Sequence, residues 1–248
     1  MKTLELESGT DSGRAHVGGI VDLVGAGGIE VEVRGVGIAH VRVRLRRLVP
    51  ATISVHIPLG TTFISKDPAV QDMIGRQAGR ATLDDNRWKS VWLEAACANR
   101  TKDVPTPGNR FEIVEAPRQQ DLKRLAPLLS QAQSSFETQQ AAVWIVTDDS
   151  SFEELGSLRS RDGSSRLIMP EHAARALQMC LEVGIDIRKR KIWSDRHALV
   201  HELPDGGLKE WLRSADPTAG QGFEFFFLDG LRRQFRCLWA WLKQRWPR

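Results

Sequence analysis

Two residues stand out for their chemistry. Cys97 ends the segment Lys89–Cys97 (KSVWLEAAC), and Gln140 lies inside Gln139–Trp144 (QQAAVW). A thiol is a nucleophile, and a carboxamide is an acyl group that can lose ammonia. A buried Gln side chain must pair both its oxygen and its NH2 or it costs stability. One set among small apolar residues and a Trp therefore requires a partner. If that partner is Cys97, sulfur displaces ammonia and leaves an internal acyl thioester, an electrophile held for an incoming amine or hydroxyl. Ala141 and Ala142 would let the two segments approach, and Trp144 would exclude water and slow hydrolysis. Asp148, or a backbone N–H, would assist transfer. The plainer alternative is that Cys97 is a small buried hydrophobe and Gln140 an ordinary helix residue.

At these residues the chain resembles the bacterial thioester domains, whose hallmark is a Cys on an early strand followed by a TQxA(I/V)W segment. Gln140, Ala142, Val143 and Trp144 match that segment, and Gln139 stands where the family has Thr. The order, Cys first and Gln later, is also shared. The resemblance implies a covalent, adhesin-like module that bonds to amines on a host surface. Cys97 would carry the acyl group, Gln140 would donate it, and Trp144 would shield it. It implies no cofactor, and it does not require turnover as an enzyme.

Other candidates carry less. His197 and His201 lie four apart beside Asp195 and Glu202, but Ala198 stands where a zinc protease needs Glu. They read as a surface pair. Gly35-Val36-Gly37 has no helix behind it to cradle a phosphate. Arg188-Lys189-Arg190-Lys191 reads as a solvated turn. Cys97, Cys180 and Cys237 lack zinc-site spacing and cannot form a closed disulfide set, which suits reduced thiols.

The elements that must position Cys97 and Gln140 follow from periodicity. Ile29–Val33, Ile38–Val49, Thr52–Ile57, Thr61–Ile64, Lys89–Cys97 and Phe111–Val114 read as short strands. Val41, Val43 and Leu45 alternate with Arg42, Arg44 and Arg46, so one face is core and the other solvent. The strands are close together and turn-connected, which predicts an antiparallel sandwich or barrel. From Gln119 the period becomes helical, with Pro127 splitting the first helix. Thr138–Val146 reads as a second helix, and Glu171–Val183 as a third that Gly184 stops. The fold class is therefore α+β: an antiparallel β module with helices packed after it. Residues 1–27 read as a flexible, frayed start followed by a loop or an edge strand, 28–204 as the module, 205–222 as a linker and 223–248 as an amphipathic helix.

In that last helix Leu231, Phe235, Leu238, Leu242 and Trp246 form a stripe that Trp239 widens. Arg232, Arg233, Arg236, Lys243, Arg245 and Arg248 cover much of the rest. Such a helix suits an anionic membrane surface or a groove on a partner protein, and equally a helix docked on its own domain. These cations exceed the chain's formal charge of +4, so the first 230 residues are net acidic. That argues against a nucleic-acid partner. The hydrophobic fraction of 41% and charged fraction of 27% exclude wholesale disorder and a multispan membrane protein. The sequence expectation is a cytoplasmic or peripheral membrane location, or an extracellular one if the thioester-domain resemblance holds. The alternative function is a non-covalent binding platform with a docking helix.

Overall fold

The computed structural model describes residues 16–130, 134–160 and 162–214. The chain divides into two units, 1–203 and 204–248. The first is α+β and is built on a closed barrel.

Among the described residues nine strands are formed: β1 (His16–Gly19), β2 (Ile29–Val36), β3 (His40–Arg47), β4 (Ile53–Ile57), β5 (Thr62–Ser65), β6 (Met73–Gly75), β7 (Gly79–Leu83), β8 (Lys89–Cys97) and β9 (Arg110–Val114). Six close into an antiparallel barrel in the order β2-β3-β8-β6-β5-β9. A three-stranded sheet, β1-β4-β7, packs beside it, with β1 parallel to β4 and β7 antiparallel. Closure removes the exposed edges that an open sheet would present.

The alternation in β3 explains why the barrel closes with this face inward. Val41, Val43 and Leu45 are fully buried, and they join Val33, Phe63, Met73, Leu93, Ala95 and Cys97 in one core. Ile53, Val55, Ile57 and Leu83 of the small sheet extend the same core. The outward arginines are held across strands: Arg44 pairs with Glu32 at 2.8 Å and Arg46 with Glu30. Arg44 and Arg46 also lie over the Trp88 ring.

The helices follow: α1 (Ile20–Gly25), α2 (Gln120–Leu125), α3 (Phe136–Asp148), α4 (Phe152–Leu155), α5 (Pro170–Glu182), α6 (Lys191–Ser194), α7 (Arg196–Glu202) and, in the second unit, α8 (Gly207–Arg213). Pro127 does break the first helical run: α2 ends at Leu125 and a 3-10 turn carries Ala126–Ser130. Ser135 caps α3 by accepting from the Thr138 N–H, and Pro170 opens α5. Thr138 through Val146 are all buried, because α3 is packed against β8, α2 and α5 together. A helix enclosed this way shows little amphipathic periodicity.

Two expectations need correction. The N-terminal segment, read as flexible through residue 27 with a loop or an edge strand in it, carries that edge strand, β1 on β4, and then helix α1, which anchors through the fully buried Ile20. The linker expected over 205–222 opens with α8. The amphipathic helix expected over 223–248, with Phe235, Leu238, Trp239, Leu242, Trp246, Arg232 and Arg236, lies outside the described residues.

Candidate functional site

The site begins with a difference in strand length. β8 pairs with β3 along Lys89–Glu94 and with β6 along Ala95–Cys97. β3 begins at His40, and the last ladder bond on that side runs from Ala95 N–H to Ala39 O, at 2.8 Å. Beyond it, β8 has no neighbouring strand on the β3 side among the described residues. Backbone groups alternate along a strand. Ala98 N–H donates to Asp72 O on the β6 side, so the Cys97 N–H and C=O point toward the gap. Buried backbone groups left unpaired are costly.

Helix α3 fills the gap with side chains. Gln140, fully buried, accepts from Cys97 N–H through Oε1 at 2.9 Å and donates from Nε2 to Cys97 O at 2.7 Å. Its carboxamide acts as a substitute peptide group and continues the ladder that β3 leaves unfinished. Gln140 and Cys97 are 43 residues apart in the chain. Ala141 and Ala142 beside it are fully buried, consistent with close helix–strand packing.

The neighbouring residue works on the same edge. Arg76, only 8% exposed, donates from Nε to Ala95 O at 3.2 Å and from Nη2 to Glu94 at 3.0 Å. A third donor of Arg76 reaches Gln139 Oε1. Its guanidinium also lies 4.9 Å from the Phe136 ring centre. Burial lowers its pKa, while Glu94 and Glu137 oppose the shift. Gln139 Nε2 in turn donates to Ser134 O and Oγ. Sequence reasoning missed Arg76 altogether and treated Gln139 only as a departure from Thr. The available signal was two adjacent Gln in an otherwise apolar helix.

The thiol faces the barrel interior. Cys97 Sγ donates to Ile38 O at 3.6 Å, in the turn between β2 and β3. Burial pushes its pKa up to about 12, so the sulfur is held as a neutral thiol. Cys180 on α5 is likewise buried, with its pKa pushed up to about 12, chiefly by burial.

Trp144 lies one helical turn beyond Gln140 and is 3% exposed. Its indole N–H has no hydrogen-bond partner among the described residues. Asp148 is turned to another task. Its Oδ1 accepts from Arg100 N–H at 2.9 Å and its Oδ2 from the Thr147 hydroxyl at 2.6 Å. Arg100 continues to Ser150 and Glu154. Asp148 thus ties the end of α3 to the loop that follows Cys97. His197 and His201 both lie on α7, and no group of His, Cys, Asp and Glu among the described residues is placed to hold a metal ion.

The chain matches no protein-family model, no curated protein and no solved structure. The functional reading therefore rests on the site alone.

Proposed function

We propose that the chain is a covalent-binding module in which Cys97 and Gln140 form an internal thioester. One observation carries the reading: the Gln140 carboxamide is docked on the backbone of Cys97 itself, in a buried setting. The Cys97 N–H points at the carbonyl oxygen, where negative charge grows as sulfur adds, and one such donor stabilises that charge. The reaction is balanced without a cofactor: S–H adds to the carboxamide carbon, the C–N bond breaks, and ammonia leaves with the thiol proton. Reactant thiol and product thioester are both neutral, so neither places a charge in the buried core. Trp144 and the alanines keep water away from the product. A partner amine or hydroxyl then takes the acyl group and returns the thiol.

Intact-protein mass spectrometry tests this. The native chain should be lighter than its sequence mass by one ammonia, and methylamine should add to it once. Cys97→Ala should show its full sequence mass and take up no methylamine. A native chain at full sequence mass, inert to methylamine, overturns the reading. Gln140 is then only the hydrogen-bond partner of an unfinished strand edge, and the chain a non-covalent platform. In either case the cationic, aromatic segment 223–248 supplies the membrane or partner contact. Flotation with anionic liposomes should be lost when that segment is deleted.

A further inference from the structure

The outer face of the barrel carries a charge arrangement that stability alone disfavours. In register across four strands stand Arg110 of β9, Arg34 of β2, Arg42 of β3 and Trp92 of β8. Arg34 lies directly opposite both Arg110 and Arg42. Like charges in opposed positions destabilise a sheet. The adjacent rows show the ordinary solution, Glu32 against Arg44 and Glu30 against Arg46. Arg34, Arg42 and Arg110 form no ion pair among the described residues. Arg34 donates to Gly108 O at 3.0 Å, which fixes its guanidinium. Arg42 lies 5.9 Å from the Trp92 ring centre, and its Nε is buried without a partner among the described residues. Trp92 itself is 55% exposed.

We propose that this row is a binding surface for an anionic oligosaccharide, one bearing sulfate or uronate groups. Three interstrand steps of about 4.8 Å make the row roughly 14 Å long, the scale of a few sugar rings. Each guanidinium presents a planar fork that matches a sulfate or carboxylate. Trp92 offers a flat apolar face for the C–H side of a pyranose at the end of the row. The row is short and is flanked on the same face by Glu32, Glu112 and Glu94, and the body of the chain is net acidic. A long polyphosphate would meet those acids, so nucleic acid fits poorly. An extended acidic peptide would use the arginines and leave Trp92 idle. The site is separate from Cys97 and does not depend on the thioester.

The test is calorimetric titration of the full chain with a heparin octasaccharide at physiological salt. The tail cations are a second source of anion binding, so a variant with all six changed to Gln is titrated beside it. That variant should keep the affinity within about threefold. Arg110→Gln, at an exposed side chain, should weaken binding about tenfold, as should Trp92→Ala. Arg34→Gln with Arg42→Gln should abolish binding measurable in the wild type. The double variant should melt close to the wild type, because relief of repulsion offsets the lost Arg34–Gly108 bond and Arg42–Trp92 contact. Binding that survives Arg110→Gln and the double variant, or that vanishes with the tail cations, overturns the proposal. So does tighter binding of oligo-dT or polyglutamate than of the octasaccharide.

Discussion

Removing the Gln140 carboxamide strands two buried backbone groups, and the cost can be worked from the contacts. Gln140→Leu keeps the volume but leaves Cys97 N–H and C=O without the partners now at 2.9 and 2.7 Å. Each unpaired buried group costs about 1–3 kcal/mol, and added apolar burial returns about 1 kcal/mol. The net loss should be about 1–5 kcal/mol. The measurement belongs in a Cys97→Ala background, which cannot form the covalent bond and retains the backbone edge. Gln140→Glu sharpens it. A carboxylate can accept from Cys97 N–H, but its second oxygen then faces Cys97 O. A protonated carboxyl can donate to that oxygen and restore both bonds. The folded state therefore raises this carboxyl's pKa above its unfolded value of about 4.3. Stability is full below that value and falls as pH rises through the folded pKa. Urea denaturation followed by circular dichroism should show a pH-independent deficit for Leu and a deficit for Glu that grows from pH 4 to 7. A Leu variant within about 0.5 kcal/mol of its parent, or a Glu variant indifferent to pH, would refute the edge-completion argument.

Other outcomes follow from the same geometry. If the thioester links residues 43 apart, opening it with methylamine removes a cross-link worth about 4 kcal/mol in chain entropy. Denaturation before and after treatment measures the loss, and no change would argue against a closed loop. Cys97 and Cys180 both have pKa values pushed up to about 12, so each thiol stays protonated in the fold after unfolded thiols ionise near pH ~8.5. Stability is full below that pH and falls about 1.4 kcal/mol per unit for each thiol as pH rises toward 12. Acylated wild type should lose the Cys180 share alone, and methylamine-treated protein both. A Cβ on Gly35 would sit 2.5 Å from Pro105 Cβ and 3.1 Å from Phe111. Gly35→Ala should therefore lower stability by about 1–3 kcal/mol in thermal denaturation; a neutral result would refute the close contact of the 99–109 loop with β2.

Much of the barrel was legible because its strands obey a simple rule. In β3 three apolar residues alternate with three arginines, and β8 alternates strongly enough for both of its ends to be read. β6 and β7 were not legible. Met73–Gly75 is too short to show a period, and Gly79–Leu83 carries Arg and Thr at alternate places. The glycines around Ile20 disguised α1, which one buried side chain anchors. The Cys97–Gln140 pair could be picked out by residue type, since a Gln among apolar neighbours needs a partner. Its geometry could not, because it depends on where β3 begins relative to β8, a tertiary fact. Arg76 gave no signal for the same reason: its partner Gln139 lies 63 residues away.

The hydrogen bond from Gln140 Nε2 to Cys97 O also bears on which nucleophile the proposed thioester would accept. Thioester formation expels that nitrogen as ammonia, so Cys97 O loses its donor while Cys97 N–H keeps its acceptor. The acylated state thus contains one unpaired buried carbonyl. Transfer to a primary amine makes a secondary amide, but in its trans form the new substituent lies syn to the carbonyl oxygen, where the lost N–H stood, and only the cis form, about 2.5 kcal/mol higher, returns an N–H to Cys97 O. Transfer to a hydroxyl makes an ester, which has no proton to donate. The hydrogen bond regained, about 1–3 kcal/mol, is offset by the cost of the cis form, so the docking adds little preference for the amide over the intrinsic chemistry. A matched pair of small probes, methylamine and methanol, would read it out as adduct mass at equilibrium. Changing Cys97 O itself is not possible by mutation, but Gln140→Asn shortens the side chain and should abolish both the docking and any adduct. An amide adduct favoured over the ester far beyond the intrinsic chemistry would show that its N–H does reach Cys97 O, and the reasoning would fall with it.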